Sequence, residues 1–295
     1  MYELMQVSET GYYMDCPAKV GFFKISEQEV VLIDSGSDKD AGKKVKKILD
    51  AQGWTLRAIY NTHSHADHIG GNQYLQAQTG CKVYAPAVED CFTAHPILEP
   101  TVLYGGFAME ELHSKFLMAK ESDVETLTEA ALPEGLTLIE LPGHSYHMVG
   151  FRTKDDVVYL ADSLASAQTL QKYQIGYLYD VKAYLNTLEA IKEMQAACFV
   201  PSHADAAADI VPLAQLNIKK TRETAEKIEA ILSSPKSFDE LLSEIFRTYE
   251  LTMTLPQNML IGSTLRSYLS YLKNEGRITF FFADDRMLWQ KNETP

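Results

Sequence analysis

Apolar positions near the start of the chain first alternate and then run together. Residues 1–35 read as strands: Val20, Phe22 and Ile25 alternate in part, and Val30-Val31-Leu32-Ile33 is an unbroken apolar run ending at Asp34-Ser35-Gly36. A run of that length suits a strand covered on both faces. A helix follows, with Val45, Ile48 and Leu49 on its apolar face and Lys43, Lys44, Lys46 and Lys47 on its solvated one. Leu56–Tyr60 predicts the next strand, and a further helix leads to Lys82–Ala85, a short strand closed by Pro86. Strand and helix alternating in this way imply a layered α/β arrangement.

Residues 90–130 break the alternation. His95-Pro96, Pro100 and Gly105-Gly106 punctuate a stretch rich in apolar residues (Leu103, Tyr104, Phe107, Met109, Phe116, Leu117, Met118). It is too apolar for a plain linker. Two readings stay open: a helical flap hinged at Gly105-Gly106, and a packed connecting segment. Strands return at Leu136–Leu141, Met148–Thr153 and Val157–Leu160. A helix near 181–196 carries Val181, Leu185, Leu188 and Ile191 on one face; then come a strand at Cys198–Val200 and a long helix from about 207 to 232.

Ser233-Ser234-Pro235 marks a boundary, dividing the chain into residues 1–232 and 233–295. Beyond it the pattern predicts two or three short helices. The last carries Leu265, Leu269 and Leu272 and stops at Asn274-Glu275-Gly276. Two short strands, Arg277–Phe282 and Met287–Trp289, close the chain, and helices followed by a terminal hairpin are winged-helix-like.

Composition adds limits. With 295 residues, 46% hydrophobic and 23% charged, the chain is an ordinary globule able to bury a large core. No apolar run approaches the length that spans a bilayer, and Met1-Tyr2-Glu3-Leu4 lacks the features of a secretory signal, so the expected location is the cytoplasm with no membrane partner. Cys16, Cys81, Cys91 and Cys198 show no paired spacing and read as reduced structural thiols. The net charge of -13 counts against nucleic acid as a partner. A small-molecule substrate is the expected partner, and a homo-oligomer is left open.

Thr62-His63-Ser64-His65-Ala66-Asp67-His68 carries the chemistry. Three imidazoles and one carboxylate fall within the six positions from His63 to His68, and these are donors that zinc, iron and manganese accept. His63 and His65, two apart on extended backbone, point the same way, while Asp67 and His68 swing toward a second point. The spacing suggests two neighbouring metals. Asp67 is also placed to cap the helix that follows. Further donors stand at strand ends: His144 in Leu141-Pro142-Gly143-His144-Ser145, Asp162 after Tyr159-Leu160-Ala161, and His203 after Phe199-Val200-Pro201-Ser202. Strand ends of layered α/β folds gather at one sheet edge, where sites form.

The order and spacing of Asp34, His63, His65, Asp67, His68, His144, Asp162 and His203 resemble the metallo-β-lactamase fold superfamily over about residues 1–205. The resemblance implies an αββα four-layer sandwich. It implies His63, His65 and His144 on a first metal, Asp67, His68 and His203 on a second, Asp162 bridging, and Asp34 orienting a ligand imidazole. It also implies two divalent ions, zinc first with iron or manganese compatible, sharing a hydroxide that attacks the substrate. Beyond ligation, Asp67, Asp34 and His147 are candidates for catalytic roles, His147 standing against a structural hydrogen bond. Weaker candidates for substrate contact are His95, His113, Tyr173, Tyr177 and Tyr179.

Subfamily differences narrow the chemistry. His65 stands where the flavodiiron oxygen reductases carry a glutamate. A bridging aspartate such as Asp162 is not typical of true β-lactamases. Ala165 replaces the tyrosine of the quorum-lactone hydrolases, and no His-Glu-Ala-Thr-like segment of the tRNA 3′-processing nucleases occurs. The expected activity is a dinuclear hydrolase of a small ester, thioester or lactone, similar in its ligand set to glyoxalase II. Alternatives are a mononuclear iron persulfide dioxygenase and an endoribonuclease of the group that joins this fold to a terminal winged helix. From Leu232 onward seven Lys/Arg face eight Asp/Glu, which disfavours the nuclease, since a nucleic-acid module is clearly basic.

Overall fold

The computed structural model describes residues 2–292. Strands β1 (Glu3–Gln6), β2 (Gly11–Asp15), β3 (Val20–Lys24), β4 (Glu29–Ile33), β5 (Thr55–Tyr60), β6 (Lys82–Ala85) and β7 (Glu125–Thr126) form one sheet in chain order. It is antiparallel as far as β4 and parallel from there on. Strands β8 (Leu136–Glu140), β9 (Val149–Thr153), β10 (Val157–Ala165) and β11 (Cys198–His203) form a second sheet in the order β11-β10-β9-β8, with β10 and β11 parallel.

The continuous apolar runs follow from where the faces of these strands go. Val31 and Ile33 join Phe23, Phe151, Tyr159 and Val200 in a core between the sheets. Val30 and Leu32 join Val45 and Leu49 of α1 (Lys39–Gln52) and Leu75 of α3 (Asn72–Thr79) on the other side. The second sheet repeats the pattern. Val158, Leu160 and Phe199 pack with α7 (Val181–Glu193) and α8 (Val211–Ile231), whereas Val157 and Tyr159 face inward. Each sheet is thus covered on both faces, and the layers run α, β, β, α, as expected. Phe151 is fully buried at the centre, where truncation to alanine costs about 3–5 kcal/mol.

A buried tyrosine ties the sheets together. The Tyr159 hydroxyl donates to the carbonyls of Tyr12 at 2.8 Å and Phe22 at 3.2 Å. Its ring lies so close to Gly21 that a Cβ there would stand 2.7 Å from it, so β3 needs glycine at that point.

Several elements depart from the sequence reading. The helix expected from about 207 starts at Val211. Ala207 instead exchanges two backbone hydrogen bonds with Phe199, the Asp209 carboxylate accepts from the Val211 amide, and Pro212 suits a first turn. Strand β10 runs on to Ala165 instead of stopping before Asp162. A short helix, α6 (Ala167–Tyr173), follows it without an obvious apolar period.

The stretch at 90–130 forms α4 (Glu89–Ala94), α5 (Leu98–Tyr104) and turns before β7. Gly105, at φ +80°, closes α5 as a left-handed cap. Leu103, Leu112 and Leu117 pack on Leu255, Met259 and Leu260 of α10 (Leu255–Asn274).

Past Leu232 there are two helices, α9 (Phe238–Thr248) and α10, then the antiparallel hairpin β12 (Ile278–Ala283) and β13 (Arg286–Lys291). Ser237 and Glu240 form a capping box at the start of α9. At 20 residues α10 is longer than the short helix expected, because Ile261, Leu265, Tyr268, Leu269 and Leu272 keep one face buried throughout. Leu241, Ile245, Leu265 and Ile278 belong to the same apolar cluster as Leu185 and Ile218, so this core continues across residue 232. Among the described residues no helix is long and apolar enough to cross a membrane.

Candidate metal centre

Two loops and two strands bring the donors to one end of the sandwich, and each has a local reason for its path. After β5 the Asn61 amide still donates to Tyr84, and the chain then turns through His63 to His68. His65 is the N-cap of α2 (Ala66–Ile69) and makes no capping bond. Asp67, expected as the cap, lies inside the first turn of α2, with its carboxylate 3.3 Å from His203 Nε2. His144 follows Gly143, which sits at φ +123° against α7; a Cβ there would fall 2.2 Å from the Tyr184 nitrogen. The Gly143 carbonyl accepts from the amides of Tyr179 and Asp180, fastening this loop to the start of α7. Asp162 is aimed by an irregularity in β10: Ala161 adopts φ +48° and the pairing with β11 shifts register on either side of it. His203 closes β11, its Nδ1–H donating to the Pro17 carbonyl at 2.8 Å.

Asp34 stands behind the cluster. It holds a left-handed conformation (φ +63°), uncommon for a residue with a side chain and typical of functional positions. Its carboxylate accepts from the Thr62 amide at 2.8 Å, from the Thr62 hydroxyl at 2.9 Å and from His68 Nδ1 at 2.8 Å. The Thr62 hydroxyl lies 2.9 Å from His63 Nδ1, so one carboxylate orients His68 directly and His63 through a hydroxyl. The network leaves both Nε2 atoms facing the centre.

The donor atoms converge in two groups with a shared middle. His65 Nδ1 lies 3.0 Å from both His63 Nε2 and His144 Nε2. Asp67, His68 and His203 gather on the other side. Between them, Asp162 Oδ2 is 3.4 Å from His144 Nε2 and 3.1 Å from His203 Nε2, while Oδ1 is 3.1 Å from His68 Nε2. The donor atoms within each set of three lie no more than 4.8 Å apart. His68 Nε2 and Asp162 Oδ1, although 3.1 Å apart, are not aligned as a hydrogen bond and are buried with no other partner, whereas buried polar atoms are normally paired. Nitrogen and oxygen donors this dense, with orphaned atoms facing inward, suit divalent cations.

The two groups differ in charge. Burial pushes His63 well below the ordinary imidazole range and brings His65 and His144 down to about 4, so this half is neutral. Burial also opposes charge on His68 and His203. There the carboxylates of Asp162 and Asp67 prevail, holding His68 well above its usual range and raising His203 to about 10. Burial likewise disfavours ionised Asp67 and Asp162, yet His68 and His203 keep both well below the usual carboxylate range.

Two buried glutamates near the centre carry no signal in the sequence. Glu89 accepts from Ser64 and Ser145, neighbours of the histidines. Glu99 lies 3.8 Å from His65 Nε2, and burial, helped by Glu89, raises its carboxyl to about 8. Glu89 stands beside Asp90 and Glu99 stands alone, with no spacing to single either out.

The remaining candidates divide. Tyr177 packs edge-on against His65 and His144, with ring centroids at 5.2 and 5.9 Å. Tyr173 and Tyr179 are about half exposed. His147, a candidate for a catalytic role, turns its ring outward to Glu140 at 3.0 Å, and only its backbone amide reaches inward. His95 is exposed, and His113 lies against Phe107. A cavity of about 160 Å³ opens on His144, Asp162 and His203, with Leu170, Ile175 and Tyr268 among its walls.

Comparison with known proteins agrees with this geometry. A family model described as the metallo-beta-lactamase superfamily matches residues 14–203. A hydroxyacylglutathione hydrolase of Methylococcus capsulatus is 26% identical over 192 residues, covering 63% of this chain and 64% of that protein. A second, from Rhodospirillum rubrum, is 27% identical over 158 residues and 52% of each chain. The chain thus spans between about half and two thirds of the length of these two relatives. A beta-lactamase domain protein from Burkholderia ambifaria shares the fold with a TM-score of 0.73 at 16% identity, covering 98% of this chain and 94% of the other.

Proposed function

The chain belongs to the metallo-β-lactamase superfamily, and from that premise we propose that it is a dinuclear metal-dependent hydrolase of a small thioester, with esters and lactones as secondary substrates. The relatives named hydroxyacylglutathione hydrolase favour the thioester. One observation carries the dinuclear reading: the Asp162 carboxylate presents Oδ2 to His144 and His203 and Oδ1 to His68, the posture of a bridging ligand.

In this reading His63, His65 and His144 would hold one ion, Asp67, His68 and His203 would hold the other, and Asp34 fixes the tautomers of His68 and His63. Bound there, divalent ions, zinc first, supply Lewis acidity that brings a water toward neutral pKa and polarises the acyl oxygen. The serine hydroxyls flanking the histidines and the nearby thiol are otherwise engaged. The Ser64 and Ser145 hydroxyls are engaged by Glu89. The Cys16 thiol, near His68, is pushed up to about 11 by burial and donates to the Ala18 carbonyl. Tyr177 shields His65 and His144 from solvent, and the cavity of about 160 Å³ admits a compact acyl group.

Metal content of protein purified without added metal, together with a panel of thioesters, esters and lactones, tests this. Two divalent ions per chain and thioester hydrolysis without oxygen uptake are expected. One iron per chain with thiol-dependent oxygen consumption would overturn it.

A further inference from the structure

We infer that Glu89 is the positioning residue of the three-imidazole half of the centre, bolting together the two loops that carry His63, His65 and His144. The inference rests on the reading that those imidazoles hold a metal.

Glu89 is fully buried at the first turn of α4 and accepts four hydrogen bonds. Oε2 takes the Ser64 amide at 3.0 Å and the Ser64 hydroxyl at 2.6 Å. Oε1 takes the Ser145 hydroxyl at 2.5 Å and the His147 amide at 2.9 Å. A carboxylate has about four acceptor sites, and here all are used. Ser64 lies between His63 and His65 in the chain, and Ser145 follows His144. These segments are 79 residues apart in sequence, yet His144 Nε2 and His65 Nδ1 meet at 3.0 Å. The carboxylate spans both backbones close to the rings, beside a direct bond from the Val149 amide to the Thr62 carbonyl at 3.0 Å.

Two further observations support a positioning role. Val88, just before Glu89, holds φ +75°, a strained conformation for a β-branched residue, and it turns the chain so that Glu89 enters the interior. The four donors are neutral, so the fold buries a carboxylate without a cation among its hydrogen-bond partners. That arrangement is costly unless the acceptor is fully satisfied, as it is here.

Glutamine cannot replace this group. Each oxygen receives one backbone N–H and one hydroxyl. A hydroxyl can rotate to accept, but a backbone N–H cannot. Whichever way the amide of Glu89→Gln is turned, its NH₂ opposes either the Ser64 or the His147 amide, and one of the two loops is pushed away.

The experiment is competition of the purified full-length protein against a chromophoric zinc chelator, with thermal melting of the metal-free form alongside. Wild type should release two zinc ions in resolved steps; failure to bind two ions at all would remove the dinuclear reading itself, independently of Glu89. In Glu89→Gln one ion should weaken by about ten- to a hundred-fold while the other is retained. Combined with His144→Ala, which removes the same half, Glu89→Gln should add little further loss. Combined with His203→Ala, it should add its full loss. Ser145→Ala, which deletes one hydroxyl and is milder for folding, should weaken the same ion by a smaller factor. Equal weakening of both ions, or a lower melting temperature with zinc affinity unchanged in both Glu89→Gln and Ser145→Ala, would overturn the assignment.

Discussion

The two halves of the centre are held in place by different physics. His63, His65 and His144 are neutral, kept so by burial, and two of their loops are joined from behind by Glu89 through backbone amides and serine hydroxyls. Around Asp67, His68 and His203 two carboxylates favour protonated imidazole, and ring nitrogen meets carboxylate face to face. A neutral cluster has little mutual attraction, so its geometry must be imposed by the scaffold. In the second cluster imidazole and carboxylate attract one another, and the scaffold adds Asp34 behind His68 and the Pro17 carbonyl behind His203. Asp162 belongs to both arrangements.

Substitutions can break that contrast or sharpen it. The largest effect is expected from Asp162→Ala, which touches both halves: thioester turnover should fall at least about 10³-fold, equivalent to about 4 kcal/mol, with far-UV circular dichroism preserved. His63→Ala should do the same from one side. Retained turnover in either variant would sink the shared-centre reading.

Next come His144→Ala and His203→Ala, each of which removes one half. Each should leave about one ion per chain by elemental analysis. Loss of both ions from His144→Ala alone would show that the neutral half organises the charged one.

Asp34→Asn acts more gently, through the orientation of His68 and, by way of Thr62, of His63. Zinc affinity should drop by about ten- to a hundred-fold, measured by chelator competition. A drop in only one ion would locate the dominant role of Asp34.

The smallest effect is expected far from the centre. Burial opposes ionisation of Asp155, yet hydrogen bonds from Ser8, Thr153 and Thr10 outweigh it and hold the carboxyl down at about 2. Because the folded value lies below the unfolded one, near 3.9, the carboxylate stabilises the fold above that unfolded value. The contribution fades as pH falls from about 4 through 2. Asp155→Asn should therefore cost about 1 kcal/mol in urea at pH 7, leave zinc binding unchanged, and converge with wild type only below the folded value of about 2.

Much of this molecule was legible in the sequence where chemistry and periodicity coincide. The unbroken run Val30–Ile33 announced a strand covered on both sides, and the dense donors of His63–His68 announced a centre, because neither pattern has a common alternative use. What stayed hidden depends on three-dimensional closure. Glu89 looks like any acidic residue until the Ser64 and Ser145 loops close around it. The register shift at Ala161 leaves no mark in an apolar strand. Asp67 reads in the sequence both as a ligand and as a helix cap; the structure keeps it in the cluster and places His65 at the cap. His147 stands in a favourable place along the chain, yet the backbone turns its ring toward Glu140.

Helix α10 serves two purposes at once. Ile261 and Leu265 close the last apolar layer of the fold, while Tyr268 lines the cavity on the centre. Selectivity and cohesion therefore draw on one helix. A change that reshapes the chamber for a bulkier acyl chain also loosens the packing beneath it, so new substrate tastes in such a protein would arise more readily from α6 and the Tyr177 loop, whose outer faces are free to vary.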